Sequence, residues 1–146
     1  MIESLRRKKD VLTDILKLSE EQSLLLDDPN LEPDTFEKNV NRKAALIDKL
    51  EQLDTGFESL YDKVKEELES NRDIHKKQIR QMQELIRALT ELNMQIQATE
   101  ARNKEKATAK FAYIRQQAKE IRSSQKIVKE YYNNMMHKAV SYTHLT

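Results

Sequence analysis

The chain of 146 residues has no Cys, no Trp, one Gly and two Pro, and only 5% of its residues are aromatic. Without thiols there are no disulfides, no zinc–thiolate sites and no thiol catalysis. Scarce Gly and Pro, with few β-branched runs, leave little turn or strand chemistry and exclude an all-β or α/β architecture. No apolar stretch approaches the roughly 20 residues that cross a bilayer, and the Met1 region lacks the apolar segment of a secretory leader. The expectation is a cytoplasmic protein without stable membrane insertion.

What is abundant is charge. Asp, Glu, Lys and Arg make up 35% of the chain beside 38% apolar residues, the composition of long helices with solvated faces. The net charge of +1 conceals an asymmetry: residues 1–70 carry 11 basic and 18 acidic side chains, and residues 71–146 carry 15 and 7. Such a dipole suggests halves that pack together, or a basic half that meets an acidic partner.

One segment reads as an outright breaker, Asp27-Asp28-Pro29-Asn30-Leu31-Glu32-Pro33-Asp34. Its prolines remove amide donors and disfavour helical backbone at the residues before them. A first helix is expected from about Glu3 to Leu26, with Leu5, Leu12, Ile15, Leu18 and Leu25 on its apolar face. The second is expected to start with Asp34 as N-cap and Glu37 three residues on, a capping-box spacing. Leu46, Leu50, Leu53, Phe57, Leu60 and Val64 then form a heptad seam that runs through Gly56 and favours one continuous helix. A softer boundary falls at Ser70-Asn71-Arg72-Asp73.

Beyond it, Ile79, Met82, Ile86, Leu89 and Ile96 form the next seam, and Asn93, Glu100 and Asn103 also occupy seam positions. Polar groups there either set register and partner choice or mark where the helix leaves the bundle near residue 100; the second is the simpler reading. A stutter over Asn103, Ala107 and Phe111 shifts the phase. Strict 3-4 spacing then resumes through Phe111, Ile114, Ala118, Ile121, Gln125, Val128, Tyr132 and Met135. A straight helix from Ile74 to Met135 would be roughly 90 Å long, whereas the first helix spans roughly 36 Å. Either the long helix folds back on the bundle or its last part exposes an apolar stripe, and exposed stripes usually meet a partner.

Enzymatic readings find no support. His75, His137 and His144 are far apart and lack metal-site spacing, and no Gly-rich phosphate loop, GxSxG or HExxH motif is present. The paired carboxylates Glu20-Glu21 and Glu66-Glu67 read as solvated helix faces rather than acid–base pairs. No cofactor is expected. Residues 101–138 carry ten basic and three acidic residues with Phe111, Tyr113, Tyr131 and Tyr132 among them. That mixture can suit nucleic acid or a membrane surface. However, the charges spread around the helix and Phe111 and Tyr132 lie on the apolar stripe, which favours a protein partner. The plain structural alternative pairs this basic face with the acidic stretch 18–37, which has seven acidic residues and no Lys or Arg.

Several phrases resemble a known family. They are Phe36-Glu37-Lys38, the run from Lys43 through Leu46-Ile47-Asp48-Lys49-Leu50 to Leu53-Asp54, and Gly56-Phe57-Glu58-Ser59-Leu60-Tyr61. Ile96-Gln97-Ala98, Arg102-Asn103-Lys104 and Tyr131-Tyr132-Asn133-Asn134-Met135 add to them. Together they resemble flagellar export chaperones of the FlgN/FliT type, the later phrases being similar to the clostridial branch. The resemblance covers roughly residues 1–136. It implies a helical cytoplasmic chaperone of type III flagellar secretion that binds the C-terminal helices of hook–filament junction or filament-cap proteins and delivers them to the export apparatus. Family cargo contacts on the C-terminal helical region correspond here to the stripe that periodicity picks out.

The expectation is thus an all-α, elongated antiparallel bundle of three or more long helices with coiled-coil character and a long basic C-terminal helix. Residues 1–136 form a single domain and 137–146 an irregular tail, in which Ser141-Tyr142-Thr143-His144-Leu145-Thr146 resembles a translated adaptor rather than native sequence. Phe111, Ile114, Ala118, Ile121, Val128, Tyr132 and Met135 are the candidate partner-binding residues. Arg115, Lys119, Arg122, Lys126 and Lys129 are the candidate steering charges. The alternative function is a structural coiled coil that associates only with itself as a homo-oligomer.

Overall fold

The computed structural model describes residues 1–110, 122 and 125–133. Three long helices account for most of them: α1 (Ile2–Asp27), α2 (Pro33–Ser70) and α3 (Lys76–Lys110). Residues 125–133 are also helical. Among the described residues there is no strand, and the architecture is an all-α bundle.

The breaker segment acts as its chemistry dictates. Asp28 takes an extended conformation after α1, and its carboxylate accepts a hydrogen bond from the Asn30 amide at 2.9 Å. α2 starts earlier than capping-box spacing suggests. Glu32 is the N-cap, Pro33 takes the first helical position, and no side-chain cap bond forms. Proline is favoured there because its missing N–H would have had no helical partner, so Asp34 serves instead as the acid of the first turn. The turn over 71–75 is closed by His75 Nε2 and Glu67 Oε1 at 3.1 Å.

The helices run up, down and up. Antiparallel α1 and α2 bring Lys8 to Asp54 and Gln22 to Lys43, while parallel α1 and α3 bring Ser19 to Glu100 and Asp27 to Lys106. α1 is the middle helix and packs against both others. At 1.5 Å per residue α2 reaches roughly 57 Å against roughly 39 Å for α1, so the α2–α3 hairpin outruns the start of α1.

Buried positions follow coiled-coil spacing with few exceptions. In α1 they are Leu5, Lys8, Leu12, Ile15, Ser19, Gln22 and Leu26, with Val11 beside them. In α3 they are Ile79, Met82, Ile86, Leu89, Asn93, Ile96, Glu100, Asn103 and Ala107, with Thr99 beside them. α2 contributes Phe36, Asn39, Lys43, Ile47, Leu50, Asp54, Phe57, Tyr61 and Leu68, with one 3-4-4 step over its first four members. The α2 seam therefore differs from its apolar reading: Ile47, Asp54 and Tyr61 point inward, Leu46 and Leu53 are half-buried, and Leu60 is exposed. Nor does α3 leave the bundle near residue 100, because Glu100 and Asn103 are fully buried.

The core has two parts. The larger runs from Leu5 and Leu68 to Ile96 and includes Val128 and Tyr131, so the 125–133 segment lies against the three-helix body. The smaller gathers Leu26, Phe36 and Ala107 at the α1–α2 turn.

Gly56 lies inside continuous α2, without positive φ, and a Cβ there would meet nothing within 4 Å. Helical glycine costs backbone entropy that alanine does not. Gly56→Ala is therefore expected to stabilise the protein by about 0.5–1 kcal/mol in urea unfolding followed by circular dichroism. A loss of stability would mean that the helix needs glycine there.

Candidate functional site

Between the two apolar clusters the three helices meet in a layer of polar side chains. Lys43 of α2 and Glu100 of α3 form an ion pair with both side chains at 0% exposure. Ser19 Oγ donates to the same Glu100 oxygen at 2.7 Å, and Lys43 Nζ donates to Gln22 Oε1 at 3.0 Å. Asn103 Nδ2 reaches the Ser19 carbonyl at 2.9 Å and Gln22 Oε1 at 3.1 Å, while Asn39 Nδ2 reaches the Leu18 carbonyl at 2.9 Å. Heptad geometry delivers all six residues to one place, since each takes a seam position of its own helix.

The layer is an electrostatic lock between the three helices. Burial pushes the Lys43 ammonium below its ordinary range, and the Glu100 carboxylate opposes that shift by charge and hydrogen bond. A second buried pair, Lys8 with Asp54, joins α1 to α2 nearer the other end, and Lys8 Nζ also sits 5.8 Å from the centre of the Phe57 ring. Among the described residues no group of His, Asp and Glu has the arrangement of a metal site. A groove of about 420 Å³ opens where α1 begins, lined largely by Met1, Ile2, Val64, Leu68, His75 and Met82.

Of the expected partner-binding residues, Phe111, Ile114, Ala118, Ile121 and Met135 lie outside the described residues, as do the steering residues Arg115 and Lys119. Val128 is only 3% exposed and belongs to the main core, whereas Tyr132 is half-buried. Arg122, Lys126 and Lys129 are exposed. The acidic stretch 18–37 does receive basic side chains from α3. Lys106 Nζ pairs with Asp27 at 2.9 Å and donates to Ser23 Oγ at 2.8 Å, and Lys110 donates to the Asp28 carbonyl.

Lys8, Ser19, Gln22, Asn39, Lys43 and Asp54 are polar, so apolar periodicity does not reveal them as buried. The signal that finds them is register: each sits three or four residues from buried neighbours on both sides.

The lock gives contrasting expectations for one and two substitutions. Lys43→Met alone strands the Glu100 charge and should cost about 3–5 kcal/mol of unfolding free energy. Lys43→Met combined with Glu100→Leu removes both charges and should be neutral, or stabilising by about 1–4 kcal/mol. Urea unfolding of the two variants checks this, and a double variant as weak as the single one would contradict it.

Comparison with known proteins adds a family. No curated protein and no solved structure matches the chain. The model of the FlgN family, described as FlgN protein, matches residues 1–135 and so nearly the whole chain. The match is to the family as a whole and resolves no branch within it. On that evidence, the chain belongs to the FlgN family of flagellar export chaperones.

Proposed function

We propose that this protein is a cytoplasmic type III flagellar export chaperone that binds the C-terminal helices of hook–filament junction proteins and delivers them to the export apparatus. Family membership over residues 1–135 carries this reading. Members of the family are chaperones that bind export cargo rather than enzymes.

The cargo's amphipathic helix buries its apolar side on the stripe Phe111, Ile114, Ala118, Ile121, Val128, Tyr132 and Met135, by helix-in-groove docking or coiled-coil exchange. Each large side chain buried there contributes roughly 1.5–3 kcal/mol before ordering costs. Because Val128 is packed into the body in the free protein, cargo reaches it only by exchange, taking over contacts that the body now makes. Exposed Arg122, Lys126 and Lys129, with Arg115 and Lys119, would steer an acidic partner and raise the association rate more than the affinity.

Ile121 is the position for the test, since a charge at core residue Val128 would confound binding with stability. Ile121→Asp is expected to abolish binding of junction proteins in isothermal titration calorimetry while leaving the helical circular dichroism largely intact. Unchanged affinity would remove the stripe from the account.

A further inference from the structure

From residue 97 to 110 the only apolar residues of α3 are Ala98, Ala101, Ala107 and Ala109, and of these Ala107 alone is buried. The preceding stretch of the same helix buries Ile79, Met82, Ile86, Leu89 and Ile96. One continuous helix therefore attaches to its neighbours by two different physical means. Its first part is held by apolar burial, and its last four turns are held mainly by Glu100, Asn103, Lys106 and Lys110 through hydrogen bonds and ion pairs, with Ala107 packed on Leu26 and Phe36.

Those polar contacts are incomplete. Gln22 Nε2, Asn39 Oδ1, Glu100 Oε2 and Asn103 Oδ1 are buried and have no hydrogen-bond partner among the described residues. Separation of the helices would return water to each of these groups, whereas separation of an apolar layer would only lose burial. The outer fastening, Lys106 with Asp27, has side chains 33% and 57% exposed, so salt screens it. The buried Lys43–Glu100 pair is screened far less.

We propose that residues 97–110 form a polar clasp that opens from α1 and α2 as one unit while the core from Ile79 to Ile96 stays packed. Opening uncovers Leu26 and Phe36 where they pack on Ala107, but far less apolar surface than parting the layers from Ile79 to Ile96 would, which places the clasp at the low end of the local stabilities in the molecule. The clasp precedes the segment 125–133, which packs Val128 and Tyr131 into the core, so its opening bears on how freely Val128 can leave the body. That consequence rests on the chaperone reading; the clasp itself does not.

Native-state hydrogen exchange of the full chain tests it. Amides over 97–110 are expected to exchange together, on the order of 100-fold faster than those over 79–96, with little dependence on added urea. Raising NaCl to 0.5 M should speed 97–110 further and leave 79–96 unchanged. The variant Lys43→Met, Glu100→Leu, Asn103→Leu should slow 97–110 at least tenfold without altering 79–96. Should that variant fail to fold, the surface change Lys106→Ala decides, because it should accelerate 97–110 alone. Equal rates and equal urea dependence across α3 would overturn the clasp. So would a gradient falling smoothly inward from residue 110, or either folded variant leaving 97–110 unchanged.

Discussion

The buried pair of Lys43 and Glu100 is the constraint from which the rest of the bundle follows. Both charges are fully removed from water, and each has a partner only when α2 and α3 meet in one register with Ser19 and Gln22 of α1 beside them. Sliding any of the three helices by a turn would leave a charge buried without its counterpart, which is far costlier than the slip of one apolar layer over another. Lys8 and Asp54 fix the α1–α2 pair a second time nearer the opposite end. A narrow coiled-coil-like body with repetitive leucines has many near-equivalent packings, and these two pairs select among them.

The same choice divides the molecule. Apolar layers below the lock give a body in which Leu5, Leu12, Leu50, Phe57 and Leu89 are almost wholly buried. Above it, the smaller cluster of Leu26, Phe36 and Ala107 is braced by the acidic end of α1 receiving Lys106 and Lys110. Charge asymmetry along the chain is thus partly spent inside the molecule. Arg122, Lys126 and Lys129 remain at the surface, where an acidic partner can meet them. For an export chaperone the combination is apt: a body of fixed register, with the proposed clasp preceding in sequence the segment proposed to take cargo.

Much of this was legible in the residues. Pro29 and Pro33 set the α1–α2 turn, the scarcity of Gly and Pro elsewhere set the length of the helices, and the unbroken pattern through Gly56 set the continuity of α2. Apolar periodicity misplaced part of the α2 seam because Asp54 occupies an inward position and Leu60 an outward one. It also suggested an exit near residue 100, where hydrophobicity falls away but burial does not. Register persists through polar side chains, and a charge can be buried when another helix supplies its partner, a fact no single segment contains. Val128 shows the converse: its stripe spacing resembles an interface, yet it packs against the body of its own chain.

If the bundle holds an export cargo as proposed, that cargo must be caught in solution. Size-exclusion chromatography with light scattering, on the protein alone and then mixed with hook–filament junction proteins of the same organism, is the first measurement. A new complex of defined stoichiometry, lost when the chain is truncated before Phe111, is expected. A homo-oligomer that ignores those proteins would contradict the proposal and favour a self-associating coiled coil.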